Sequence, residues 1–310
     1  MTDPFNQTLT FEELLAHVVN NGEVRTDRTG TGTLSVFAPP PLGFSLEGGR
    51  VPLITSKRVP WKMATAEFLW MLTGSTNVNH LRQWSPAMAG LWDSWANKDG
   101  DIGPTYGAQY RDAGGSLLTQ QLNAVPGLAV VPPSNPTGVD QVREVVSRLL
   151  SGADTRRALI SLWSVAELRD MAIEPCMVLF QFSLRGPAYD QLHLHVYQRS
   201  ADMMLGVPFD LYQAGLLAHL VARELSLVTG RDIQARRMVW SAGDVHVYAN
   251  QLEAAREQLG QSYGAEPMRA RVVIDGFRGL RLLDSSLEPG HISVIDYNPA
   301  PAIDAGKPAV

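Results

Sequence analysis

Residues 210–230, "DLYQAGLLAHLVARELSLVTG", place apolar side chains around most of a helix and carry no Lys, Arg, Asp or Glu between Asp210 and Arg223. A helix of that kind has no wet face and has to be enclosed. Its most apolar part, 214–221, is interrupted by His219 and is far too short to span a bilayer, so the enclosure expected is a protein core. The chain has 310 residues, 45% of them apolar and 18% charged, enough for one large core or two modest ones. The helix is read as starting at Asp210, just after Gly-Val-Pro-Phe. A carboxylate there either caps the helix or accepts hydrogen bonds from a ligand.

Other segments supply the cover. "TFEELLAHVVNNG" predicts a helix with Thr10 and Glu13 as a capping box, and "WKMATAEFLWMLTG" predicts a second ending at Gly74. Strands are expected at 33–37, 44–54, "ALISLWSV", "CMVLFQFSL", "QLHLHVYQ" and "ARVVID", and a further helix over "DVHVYANQLEAAREQLG". Helices and strands come in mixed order, which favours an α+β fold over strict βαβ alternation. Residues 1–310 are read as one domain, with a Gly/Pro/Ser-rich surface insertion at 112–141.

Composition narrows the function classes. No basic, apolar leader is visible, so no secretory signal is expected. One cysteine excludes an intramolecular disulfide and fits a reducing cytoplasm. A net charge of −5 argues against a nucleic-acid surface, though a few arginines in one cavity would suffice for a small anion. His193 and His195 share a strand face without further ligands nearby, so no metal is expected.

The reactive candidates lie far apart. Cys176, in "EPCMVLFQF", is either a small buried hydrophobe or a nucleophile at a strand mouth. Arg156, Arg157, Arg199 and Ser200, if gathered in space, would make a phosphate cradle, because guanidinium forks match phosphate oxygens. Arg28 sits on the Gly/Thr-rich loop "RTDRTGTGT", a weak phosphate-loop signal by itself.

In this order, "DRTGTGTLSVF", "PLITSKR", "EFLWMLTGSTN", "WDSWANKDGDIGPTYGAQYR", "DTRRALISLW", "PCMVLFQF", "YQRSADMMLGVPFD" and "GDVHVYANQ" resemble the thymidylate synthase family over residues 25–252. The resemblance implies a homodimer and 5,10-methylenetetrahydrofolate as one-carbon donor. It implies that Cys176 adds to C6 of a pyrimidine nucleotide and that Arg28, Arg199 and Ser200 hold its phosphate. Arg156 and Arg157 would reach that phosphate from the other subunit. His246 and Tyr248 would bind the ribose, Glu67 would organise water and relay protons, and Tyr106 would belong to the network that removes the C5 proton. Leu91, Trp92, Asp202 and Phe209 would contact the folate, Lys57 its glutamate tail, and Val310 would close over it. The assembled arginines are expected to lower the Cys176 thiol from about 8.5 towards neutrality.

Asp210 departs from the Asn of the methylating members and resembles the cytidylate 5-hydroxymethylase branch. An ionised carboxylate only accepts, which opposes uracil O4 and suits the cytosine amino group. Smaller departures are Pro60 where the family has His, Met177 after the cysteine, Ala242 in "AGD", and Gln251 after Asn250. The expected activity is therefore 5-hydroxymethylation of CMP or dCMP. The alternatives are 5-methylation of dUMP or a cytidylate, and a catalytically silent paralogue that binds nucleotide or RNA.

Overall fold

A computed structural model describes residues 9–26, 30–115, 138–152, 155–265, 267–275 and 282–306. Arg28, Val310 and most of the expected insertion (116–137) lie outside the described residues. The first helix, α1 (Phe11–Asn21), starts as its sequence dictates. Thr10 Oγ1 accepts from the Glu13 amide at 3.2 Å, and Glu13 Oε2 accepts from the Thr10 amide at 2.7 Å. Such a cap stabilises a helix by about 1 kcal/mol.

Seven strands form the main sheet: β1 (Glu23–Arg25), β2 (Thr33–Phe37), β3 (Leu42–Ser45), β4 (Leu159–Ser161), β5 (Met177–Arg185), β6 (Gln191–Asp202) and β7 (Gln234–Tyr248). Their order is β1-β2-β7-β6-β5-β4, with β3 also paired to β7. The sheet is mixed: β6 and β7 run parallel, and every other pair is antiparallel. A small antiparallel pair, β8 (Arg271–Ile274) and β9 (Ile292–Ile295), stands apart.

The one parallel pair positions the site. It brings the C-terminal ends of β6 and β7 side by side, with Ser200 opposite Asp244 and Asp202 opposite His246. Because β5 runs antiparallel to β6, its first residues lie at the same end, Met177 facing Gln198. Cys176, one residue earlier, is tied there by its carbonyl, which accepts from the Arg199 amide at 2.8 Å.

Helices α2 (Trp61–Leu72) and α7 (Gly206–Thr229) pack on each other, and α7 also packs on β6 and β7. The described helices between them in the chain are α3 (Val78–Trp84), α4 (Pro86–Trp92), α5 (Tyr106–Arg111) and α6 (Gln141–Ser151); α8 (Leu252–Ser262) follows β7. The enclosure expected for the apolar helix is met. Leu211, Leu216, Leu217, Leu220, Val221 and Leu225 are all buried, and Gly215 lets Pro52 so close that a Cβ would sit 2.5 Å from its Cδ.

Three expectations are corrected. α7 begins at Gly206, so Asp210 lies in its second turn and is not the N-cap. Pro208 is tolerated within the first turn, where its missing N–H has no intrahelical partner anyway. Asp202 holds the turn instead, its Oδ1 accepting from the amides of Met204 and Leu205. The strand expected over 44–54 stops at Ser45, because Gly48 and Gly49 adopt positive φ (64° and 85°) and turn the chain. The helix expected from Asp244 starts only at Leu252, since Asp244–Tyr248 completes β7 against β2. At the base of the insertion Ala113 and Val139 exchange backbone hydrogen bonds, at 3.0 and 2.9 Å, and Asp112 Oδ1 accepts from the Gly138 amide.

Candidate active site

At the shared end of β5, β6 and β7 lies a cavity of about 1300 Å³. Cys176, Arg199, Ser200, Asp202, His246 and Tyr248 line it from the strand ends. Phe209 and Asp210 line it from α7, Glu67 from α2, Leu91 and Trp92 from α4, and Tyr106 from α5; Lys57 contributes from the loop before α2. All the expected site residues among those described thus converge, apart from Arg156 and Arg157. These two are exposed beside Arg148 in a separate cleft of about 580 Å³.

Asp210 Oδ2 accepts from Gln198 Nε2 at 2.7 Å. Burial raises the Asp210 carboxyl to about 7, with the Gln198 bond opposing and the charges of Glu67 and Asp202 adding to the rise. Asp210 and Gln213 stand about one turn apart on one face of α7. Gln213 Nε2 in turn donates to Glu67 Oε2 at 2.7 Å. Glu67 is only 7% exposed, in the middle of an otherwise apolar run of α2. Its Oε1 accepts from Trp92 Nε1 at 2.6 Å, and burial, outweighing both hydrogen bonds, raises it from 4.5 to about 7.

This shift predicts a pH-dependent stability. In the unfolded chain Glu67 ionises near 4.5, whereas in the fold it keeps its proton until about 7. Between those values the folded state binds more protons, so stability falls as pH rises, and above 7 the whole penalty of about 3 kcal/mol remains. Chemical denaturation of Glu67→Gln is expected to show a flatter decline between pH 4.5 and 7 than the unsubstituted protein. Equal slopes for both would contradict the assignment.

The thiol departs from expectation. Burial first, and the Asp210 charge second, raise the Cys176 pKa, and Arg199 only partly offsets them. The arginine side chain is turned to backbone carbonyls, Nε to Pro175 at 2.9 Å and Nη2 to Glu174 at 2.7 Å, with its guanidinium 5.3 Å from the Trp163 ring centre. Arg156 and Arg157 stand outside the cavity, so the positive charge expected around sulfur is not assembled by this chain's described residues. Tyr106 Oη accepts from the Cys176 amide at 2.9 Å and is also hydrogen-bonded to the thiol.

His246 Nδ1 and Asp244 Oδ1 are 2.8 Å apart, and Ser35 Oγ donates to Asp244 Oδ2 at 2.8 Å. The carboxylate orients the imidazole and leaves its other nitrogen for the cavity. Lys57 is turned inward: its Nζ donates to the Met204 carbonyl, and burial lowers it to about 8 against the attraction of Asp202. The ammonium has three N–H donors, so this bond leaves others for an anionic group in the cavity that Lys57 lines. Residues 302–306 form another wall of the cavity, held by Ala300 N–H to Thr55 O at 2.8 Å. Gln198, Gln213 and Asp244 were not singled out from the sequence. Asp244 was within reach there, because Asp-x-His on a strand places both side chains on one face. Among the described residues, no group of three or more His, Cys, Asp or Glu could hold a metal, and no helix is long and apolar enough to cross a membrane.

A sequence model of the family described as thymidylate synthase matches residues 9–309. The chain belongs to the thymidylate synthase family. The family transfers a one-carbon unit to a pyrimidine nucleotide and uses 5,10-methylenetetrahydrofolate as donor. The cavity fits such a donor. Trp92 lies in an aromatic cluster, 5.5 Å from Trp95 and 5.8 Å from Tyr106 between ring centres, with Leu91 and Phe209 beside it. That wall suits a flat pterin, and the half-buried Asp202, whose Oδ1 is taken by the Met204 and Leu205 amides, has Oδ2 left to accept from the pterin N–H groups.

Proposed function

We propose that this member of the family is a cytidylate 5-hydroxymethyltransferase acting on CMP or dCMP. The observation that carries the reading is the carboxyl of Asp210, lining the same cavity as Cys176 and bonded through Oδ2 to a donor, Gln198. An ionised carboxylate facing uracil O4 sets acceptor against acceptor, whereas cytosine offers its amino N–H and, once N3 is protonated, a second donor beside it. A carboxyl near 7 can hold the proton that N3 requires, so Asp210 both selects the base and supplies its activating proton.

The roles of the other residues follow. Arg199, Ser200 and Arg28 hold the phosphate, completed by Arg156 and Arg157 from a second copy of the chain; their exposure outside this chain's own cavity supports that arrangement. With the dianion bound, arginines face the thiol and favour the thiolate. Cys176 adds to C6 while Asp210 holds the protonated N3–C4 edge, which places electron density on C5. When bound, the folate supplies a carbon at the oxidation level of formaldehyde, with Leu91, Trp92, Asp202 and Phe209 holding its ring and Lys57 and Val310 at its outer end. Tyr106, its phenol kept neutral by burial, belongs to the hydrogen-bonded network through which the C5 proton is removed. Once tetrahydrofolate has left unoxidised, Glu67, half-protonated near neutrality, holds the water whose O–H adds to the new carbon as the C6–S bond breaks and Cys176 is restored. His246, oriented by Asp244, and Tyr248 hold the ribose.

The folate's own absorbance tests the reading. Methylation oxidises the folate to dihydrofolate and hydroxymethylation does not. With CMP or dCMP, product is expected without the growth of dihydrofolate absorbance; growth of that absorbance in step with product would replace this reading with 5-methylation.

A further inference from the structure

A protonated carboxyl is ambiguous as a reader of pyrimidines. With the proton on one oxygen it donates to N3 and accepts from the amino group of cytosine. With the proton on the other it accepts from N3–H and donates to O4 of uracil. Asp210, half-buried and sharing its surroundings with Glu67 and Asp202, needs something to break this symmetry.

The neighbouring groups supply it. Gln198 and Trp240 are each 1% exposed. The indole Nε1–H of Trp240, on β7, donates to Gln198 Oε1 at 2.9 Å. An indole nitrogen is a donor only, so the amide of Gln198 has no free choice of orientation. Its Nε2 must face the other way, where it donates to the Ser200 carbonyl at 2.9 Å and to Asp210 Oδ2 at 2.7 Å. Oδ2 is thereby held as an acceptor, and any proton on the carboxyl belongs to Oδ1. The alternative order would place the proton on Oδ2 and leave the Gln198 N–H to a hydroxyl oxygen, a weaker acceptor than a carbonyl or carboxylate oxygen.

We propose that Trp240 is a specificity-determining positioning residue, whose N–H locks Gln198 so that Asp210 presents only one of its two donor–acceptor orders to the base. This rests on the reading of Asp210 as the base-recognising group. Trp240 does not line the cavity, so its effect is transmitted entirely through Gln198.

The test compares kcat/KM for CMP, dCMP, UMP and dUMP with methylenetetrahydrofolate in the unsubstituted enzyme, Trp240→Phe and Trp240→His. Trp240→Phe removes the indole donor and leaves only the Ser200 carbonyl to oppose a turn of the amide carbonyl towards Asp210, and the ratio of preferred to disfavoured base is expected to fall about tenfold, the scale of a lost buried hydrogen bond. Trp240→His, which restores a ring N–H donor, is expected to recover much of the ratio. A change in packing alone would lower all four nucleotides by one factor. An equal fall for all four, an unchanged ratio, or a lowered ratio that histidine does not restore would each overturn the proposal. If Trp240→Phe does not fold, Gln198→Glu decides: nearly isosteric, it presents an acceptor to Oδ2 and is expected to lower the ratio at least as far, and an unchanged ratio there would overturn the proposal. The unsubstituted enzyme's own preference is read in the same experiment. A preference for uridylates would reject the cytidylate reading, while the fall of the ratio in Trp240→Phe and its return in Trp240→His would still decide the relay.

Discussion

Replacing Asp210 with asparagine is expected to move the enzyme's preference from cytidylates to uridylates, by roughly 10² to 10⁴ in the ratio of their kcat/KM values. The size follows from the site. Asp210 sits half-buried in the second turn of α7, on the wall of the cavity, so with a base bound against it a mismatched donor or acceptor at its edge is cut off from bulk water. An asparagine amide can accept from uracil N3–H and donate to uracil O4. The substitution is nearly isosteric, so the change reads recognition rather than packing. It also removes a charge that raises the Cys176 thiol, which helps nucleophile formation with either base. Steady-state kinetics on the four nucleotides gives the ratio directly, and an unmoved ratio would sever Asp210 from base recognition.

Cys176→Ala is expected to abolish turnover, with a loss of at least about 10⁴-fold, while nucleotide binding survives. Among the described residues the other reactive groups beside the sulfur are engaged: Tyr106 is held by the Cys176 amide, and Glu67 by Trp92 and Gln213. The phosphate- and base-contacting groups are untouched, so calorimetric affinity for the nucleotide is expected to stay within a few-fold. Release of tritium from C5 of the labelled nucleotide reports the addition step. Release that persisted in the alanine variant would show that the thiol is not the nucleophile.

Local structure was largely readable from the residues. The capping box at Thr10 and Glu13, the alternation of Leu192, Leu194 and Val196, and the enclosure of the 214–221 run are short-range patterns with one physical solution each. Boundaries failed where two signals overlapped. Asp244–Tyr248 alternates like a strand but runs directly into a helical pattern, and the long β7 was lost to it. The start of α7 was misplaced because Pro208 looked like a stop, although a first turn accepts it.

The family motifs foresaw that the described candidates other than Arg156 and Arg157 line one cavity, but not the electrostatics there. Arg199 was counted as a charge facing sulfur, whereas its guanidinium is turned to the Pro175 and Glu174 carbonyls. The relay from Trp240 to Gln198 to Asp210 depends on the parallel register of β6 on β7, which sets Gln198 beside Ala242 and Val196 beside Trp240. No local periodicity encodes a register between strands so far apart in the chain.

The most direct test of the central claim, that Asp210 reads the amino edge of cytosine, is the mass of the product formed by the unsubstituted enzyme from CMP, dCMP, UMP and dUMP with 5,10-methylenetetrahydrofolate. The account predicts a cytidylate that has gained CH₂O, with uridylates left unchanged. A uridylate that gained CH₂ while both cytidylates came back unaltered would contradict it.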